Sequence, residues 1–151
     1  MTIEPIRSAP ERRAELQTQA AALGIDEGYI DRLVEAFYRK VRQDGMLGPV
    51  FARRIADWGP HLTRMKAFWS SVALNSGQYS GKPVPAHLVL KEVRPAHFER
   101  WLALFQETLE ETAPTPGAVF HFMERAQRIA TSLQLAMFGV PELQRPKGEG
   151  K

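Results

Sequence analysis

The chain contains no cysteine, and this absence excludes several kinds of site at once. Disulfides, cysteine-bound iron–sulfur clusters, thiolate metal ligands and cysteine nucleophiles all require the missing thiol. A metal held by this chain would therefore depend on its four histidines, on carboxylates, or on a cofactor that brings ligands of its own.

The motifs of common catalytic and nucleotide-binding sites are missing as well. The sequence has no HExxH, GxSxG, GxGxxG or P-loop pattern. Acidic residues cluster at Glu107, Glu110 and Glu111, but no ExxH pair accompanies them. A di-iron carboxylate bundle is therefore disfavoured.

Long apolar runs and basic blocks are also absent. No run approaches the roughly 20 apolar residues of a membrane-spanning helix. The amino end, MTIEPIRSAPERRAEL, lacks the apolar core of a secretory signal. The net charge of +3 is small, and no basic segment is interleaved with aromatics as in nucleic-acid surfaces. We therefore expect a soluble cytoplasmic protein that binds neither membranes nor nucleic acid.

What the chain does have is the composition of a helical globular domain. At 151 residues, with 44% hydrophobic and 25% charged residues, it is able to bury a sizeable core. Apolar residues recur at helical spacing and no segment alternates as a strand does, so about five or six helices are predicted. We expect one domain over residues 1–140, with a helical amino-terminal extension over about residues 1–25 and a disordered tail over 141–151.

Capping and breaking residues predict where the helices begin and end. They are Pro10 and Gly24 around a helix over 10–23, Asp26 before the second helix, Asp57 and Asn75 around the third, Pro95 before the fourth, and Thr115-Pro116 before the last. The helical pattern is expected to break before Phe51, at Gly45, Gly48 and Pro49.

Two histidines are candidates for a metal-binding pocket. His87 follows a Gly- and Pro-rich loop over residues 77–85, and His61 lies on the third helix with Met65 and Phe68 on its face. Neutral imidazole binds iron well, and a helical pocket lined with aromatics suits a flat apolar ring. This pattern predicts a haem held from one side by His87, with a small ligand on the side facing His61. The alternative is structural: His87 satisfies a helix end, and His61 bonds the backbone at the edge of the core.

Four further side chains are placed to line such a pocket. Tyr38 brings a hydroxyl into an apolar helix face, and a buried tyrosine needs a partner for that group. Trp101 carries a donor-only indole N–H. Phe51 could lie against a ring, and Arg64, one turn from His61, could pair with a propionate. The competing interpretations are that Tyr38 points to solvent or to a backbone carbonyl, that Arg64 faces solvent, that Trp101 fills the core and that Phe51 anchors a loop.

The remaining two histidines are predicted to lie elsewhere. His97 falls in the first turn after Pro95, which suits a surface or capping position. His121 is off the apolar stripe of the last helix and is expected to be solvated.

Taken in order and spacing, several stretches make the chain resemble the group III truncated haemoglobins, a bacterial branch of the globin superfamily. These stretches are FYRKVR at 37–42, LGPVF at 47–51, DW at 57–58 through His61, FWSS at 68–71, GQYSGKP at 77–83, HL at 87–88, FERWLALF at 98–105 and RAQRIATSL at 125–133. Together they span about residues 28–138, which is nearly the whole predicted domain.

The resemblance implies a two-over-two helical sandwich around a b-type haem. The residues that it assigns are His87 as proximal iron ligand, Tyr38, His61 and Trp101 in the distal pocket, Phe51 against the haem and Met65 over the distal face. Apart from the resemblance, Arg64 and Phe68 are expected as further haem contacts, because they lie on the same helix as His61. Two features depart from the family pattern. The amino-terminal segment is longer than in a minimal member, and Met65 stands where a branched aliphatic is expected, which leaves the shape of the ligand path open.

The resemblance also implies a function. It is the binding of oxygen or nitric oxide at a five-coordinate iron, with nitric oxide dioxygenation or peroxide chemistry as its enzymatic extension and an unidentified reductase as partner. Two alternatives stay open at this stage. One is a bis-histidyl haem protein for electron transfer or sensing, in which His61 also binds the iron. The other is a haem-free helical interaction module whose aromatics only fill the core.

Overall fold

Six α-helices make up the described part of the chain, residues 8–77 and 92–139 of a computed structural model. They are α1 (Ala9–Ala22), α2 (Glu27–Gln43), α3 (Leu47–Arg54), α4 (Trp58–Leu74), α5 (Pro95–Thr112) and α6 (Pro116–Phe138). No strand occurs within these two ranges, in agreement with the predicted all-α class. None of the helices described here has the length and apolar character needed to cross a membrane.

The helices begin where the capping residues predict. Asp26 Oδ1 accepts a hydrogen bond from the Tyr29 amide at 2.7 Å, at the start of α2. Asp57 Oδ1 accepts from the Gly59 amide at 3.2 Å, at the start of α4. Each bond satisfies an amide that has no partner inside its own helix. The predicted starts of α2 and α4 are confirmed.

Helix α3 corrects one sequence-based expectation. The predicted interruption at Gly48 and Pro49 is wrong, because both residues lie in the first turn of α3. Proline is tolerated there, since the first-turn amides have no partner inside the helix. The carboxylate of Asp44 accepts from the amides of Met46 at 3.1 Å and Leu47 at 2.9 Å and so caps the turn. Phe51 therefore projects from a helix and not from a loop.

The four longest helices pack as two pairs, α2 with α4 and α5 with α6, and α2 also packs on α5. The apolar stripe of α2 is fully buried: Ile30, Leu33, Val34, Phe37 and Val41 are each at most 1% exposed. Trp69 of α4, Phe105 of α5 and Phe122 of α6 complete the same core. This arrangement is the predicted two-over-two sandwich.

Helix α1 lies outside the two pairs and buries only Ala20. Its end is tied to the start of α6, where Thr115 Oγ1 donates to the Leu23 carbonyl at 2.7 Å. Residues 1–7, 78–91 and 140–151 lie outside the described residues, and with them the predicted loop beyond 77, His87 and the predicted tail.

Candidate ligand-binding cavity

A mainly apolar cavity of about 370 Å³ lies among α2, α3, α4, α5 and α6. Its polar and charged lining residues are Tyr38, Arg54, His61, Arg64 and His97. Its apolar lining residues are Leu47, Val50, Phe51, Ile55, Met65, Phe68, Trp69, Val93, Phe98, Trp101, Ile129, Ala130 and Leu133. The volume falls within the roughly 300–1,000 Å³ typical of small-molecule sites.

Every predicted site residue within the described ranges lines this cavity: Tyr38, Phe51, His61, Arg64, Met65, Phe68 and Trp101. They come from α2, α3, α4 and α5. The eighth, His87, lies outside the described residues. The structure thus brings seven side chains to one cavity, and their roles as haem contacts stay predictions.

Tyr38 is a buried hydrogen-bond donor in the wall of the cavity. It is 4% exposed, and its ring lies 5.3 Å from His61 and 5.9 Å from Phe51, edge-on to both. Burial raises the pKa of the Tyr38 phenol, so the hydroxyl keeps its proton. That hydroxyl has no hydrogen bond to any other described residue.

His61 places an unpaired nitrogen in the same wall. Its Nε2 is buried and has no hydrogen-bond partner among the residues that the structure describes. Burial, and secondarily the charge of Arg64, lowers the pKa of His61 to about 4, so the imidazole is neutral near pH 7. Trp58 holds the ring from the side, with centroids 5.5 Å apart and planes perpendicular at 90°. A neutral imidazole can donate or accept at Nε2, depending on its tautomer.

Trp101 is fixed by an aromatic stack. Its ring lies 5.1 Å from Phe105 at 17° and 6.4 Å from Trp69 at 17°, and Phe37 meets it edge-on at 5.2 Å. Offset stacking and edge contacts are the favoured arrangements of aromatic pairs. The indole is therefore held in one orientation at the cavity wall.

Two polar residues of the cavity were not among the predicted site residues. His97 has the predicted capping role, because the Arg94 amide donates to its Nδ1 at 2.9 Å, but it also lines the cavity. Its spacing of four residues from Trp101 puts both on one helix face and could have revealed this. Arg54 pairs with Glu92, its Nη2 lying 3.0 Å from Oε2. Glu92 is 38 residues away, and no local pattern indicates that contact.

The expectation that His121 is solvated is wrong. It is 7% exposed, and its Nε2 donates to the Ala73 carbonyl at 3.1 Å. That carbonyl lies in the last turn of α4, where no amide of the helix can reach it. Because α6 packs against α4 as well as α5, its buried face is wider than the apolar stripe indicates.

Comparison with known proteins decides the family. The chain is 35% identical over 123 residues to the group 3 truncated hemoglobin ctb of Campylobacter jejuni, across 76% of this chain and 92% of that protein. It belongs to the group III truncated haemoglobins. The crystal structure of the group III truncated hemoglobin from Campylobacter jejuni matches with a TM-score of 0.72 and 35% identity, covering 76% of this chain and 92% of that one. No family model matches the chain.

Membership confirms the resemblance and the fold that it implied. The group III truncated haemoglobins are haem-binding globins, so haem is the cofactor class to test against the cavity.

Proposed function

We propose that this protein is a cytoplasmic globin that holds haem b in the cavity, with His87 as proximal iron ligand. The side lined by Tyr38, His61 and Trp101 would take oxygen or nitric oxide. One observation carries the proposal: His61 Nε2 is buried in the cavity wall with no partner among the described residues. An unsatisfied buried polar atom costs about 1–3 kcal/mol. Such an unsatisfied atom is expected where a ligand supplies the missing hydrogen-bond partner.

The lining suits a haem. The wall is apolar and aromatic over most of its area, as a flat apolar ring requires. Two arginines line the same cavity. Arg54 is paired with Glu92, whereas Arg64 has no ion pair within the described ranges. Arg64 is exposed, and it is the side chain that we assign to a propionate, in a contact worth the roughly 0–1 kcal/mol of an exposed ion pair.

The distal donors supply selectivity for a polar ligand. Bound haem would supply an iron able to take a diatomic gas. Tyr38 keeps its proton, and Trp101 has an indole N–H that only donates. Both therefore favour a ligand with partial negative charge over a less polar one. Nitric oxide dioxygenation or peroxide chemistry would be the enzymatic use of such a site, with a reductase as electron donor.

The unpaired His61 nitrogen also favours a second candidate. A neutral imidazole nitrogen that faces a cavity without a hydrogen-bond partner can bind iron, so His61 could complete a bis-histidyl haem for electron transfer or sensing. The visible spectrum of the ferrous protein separates the two, because five-coordinate and six-coordinate haem absorb differently. A protein with no Soret band would instead support the haem-free interaction module.

The assignment of His87 is tested by substitution. We expect His87→Ala to lose haem or hold it loosely, because it removes the protein bond to iron, and we expect its Soret band to weaken or shift. His97→Ala is the control, since His97 lines the cavity and caps α5. If His97→Ala lost the haem spectrum and His87→Ala kept it, the assignment would be wrong.

A further inference from the structure

A second cavity, also about 370 Å³, shares Tyr38 with the first. Besides Tyr38, its lining residues are Glu35, Arg39, Arg42 and Gln43 of α2 and Leu62 of α4. Leu62 follows His61 directly on α4. Leu62 lines the second cavity, whereas His61 lines the first. We call this second space the outer cavity. Tyr38 is thus a wall common to the outer cavity and the proposed haem cavity.

The outer cavity is cationic. Arg39 and Arg42 have no ion pair within the described ranges, and the Arg42 guanidinium lies 4.7 Å above the Trp58 ring. The single carboxylate of the lining, Glu35, is engaged by Lys66 Nζ at 2.8 Å. Two arginines therefore line a space whose one carboxylate is already paired. Guanidinium presents planar donors that match small oxyanions.

We propose that the outer cavity binds small monovalent anions of the nitrite and nitrate type and exchanges them with the haem cavity past Tyr38 and Leu62. The exchange rests on the proposed haem function, whereas the anion site itself rests on Arg39 and Arg42. A cleft lined by cationic side chains raises the local concentration of an anion and its rate of entry. An anion formed or consumed in the haem cavity would thereby have a short charged route to solvent.

The first experiment measures azide association with the haem-loaded ferric protein by stopped flow at low ionic strength. Azide is the probe because it is a small anion that binds ferric haem. We expect Arg39→Glu and Arg42→Glu each to slow association by about tenfold, an effect that salt reduces. Arg42→Lys keeps the charge and should keep most of the rate. Carbon monoxide, which is neutral, should associate with the ferrous variants at the wild-type rate.

The matched control is Arg13→Glu, an exposed arginine on α1 that changes the net charge by the same amount. Equal slowing by Arg13→Glu would show a net-charge effect and overturn the site. Unchanged azide association rates in Arg39→Glu and Arg42→Glu would also overturn the site. Equal slowing of carbon monoxide association would overturn it too, because it would indicate a structural change.

A second readout does not depend on haem chemistry. In a nitrate titration followed by NMR, the side-chain Nε signals of Arg39 and Arg42 should shift saturably, and that of Arg13 should not. Equal, non-saturating shifts at all three would refute the anion site. A missing Soret band would refute the proposed function instead, so the two failures are distinguishable.

Discussion

The Tyr38 hydroxyl is the donor whose contribution can be isolated most cleanly. Tyr38→Phe keeps the ring contacts with Phe51 and His61 and removes only the hydroxyl. A hydrogen bond worth about 1–2 kcal/mol corresponds to a roughly 5–30-fold change in dissociation. We therefore expect oxygen release from the haem-loaded variant to accelerate by that factor, with carbon monoxide release nearly unchanged. Stopped-flow release rates for both gases measure it.

Tyr29→Phe is the control for this substitution. Tyr29 is also a buried tyrosine of α2, but its hydroxyl pairs with Thr112 Oγ1 at 2.9 Å and it is not among the cavity residues. Loss of the Tyr29 hydroxyl should lower the free energy of unfolding and leave the oxygen and carbon monoxide release rates unchanged. Equal acceleration of both gases in Tyr38→Phe would point to altered access, and no acceleration would rule out its hydrogen bond to the ligand.

Sequence reasoning identified cavity-lining residues where they lie on an apolar stripe or beside one, and their roles in binding stay predictions. Tyr38, His61 and Trp101 were predicted in this way and meet at one cavity. His121 was placed wrongly, because its burial depends on a carbonyl of α4, 48 residues away in sequence. Helical periodicity identifies the apolar face, but it does not reveal which polar side chain finds a distant partner.

Among the elements, α3 depends on one glycine for its approach to α2. A Cβ added at Gly48 would lie 2.9 Å from the Arg42 carbonyl oxygen, which is backbone and cannot turn away. Alanine is the better helix former by about 1 kcal/mol, but overpacking against backbone costs about 1–3 kcal/mol. We expect Gly48→Ala to lower the free energy of unfolding in urea and to displace Phe51 in the cavity wall.

Gly45 provides the matched control for this change. A Cβ there would meet nothing within 4 Å, so Gly45→Ala should alter stability by no more than about 0.5 kcal/mol. If both alanine variants unfolded at the same urea concentration, close packing of Gly48 against the Arg42 carbonyl would be refuted as a constraint on α3.

The helix bounds were predictable because side-chain caps are local signals, as at Asp26 and Asp57. The bounds of α3 were not predictable, because its glycine and proline are turn signals and the helix has only 8 residues. Its cap, Asp44, also pairs with Arg100 at 2.7 Å. This salt bridge links the start of α3 to α5, and no local sequence pattern predicts it.

At the scale of the whole molecule, residues of two apolar clusters line the cavity. The smaller cluster has five buried members, Val50, Val93, Phe98, Ala130 and Leu133, and all of them line the cavity. The larger cluster contains the stack of Trp69 and Phe105, against which Trp101 packs. Helical periodicity predicts that apolar positions face inward, yet it cannot tell a filled core from one that surrounds a ligand. The structure shows a cavity between these residues, and membership of the group III truncated haemoglobins makes haem the ligand to test there.

A cavity holding a neutral histidine should make the whole fold sensitive to acid. Burial lowers the pKa of His61 from 6.5 to about 4, so the unfolded chain takes up this proton more readily than the folded one. The free energy of unfolding should therefore fall as pH drops through the window from 6.5 to about 4, and the contribution of His61 is fully present above it. His61→Leu removes this group, and its stability should decline less than that of the wild type between about pH 7 and about pH 5. Some acid loss should remain, because burial also lowers the pKa of His121. Urea unfolding at both pH values measures the difference, and parallel declines in the two proteins would contradict the role assigned to His61.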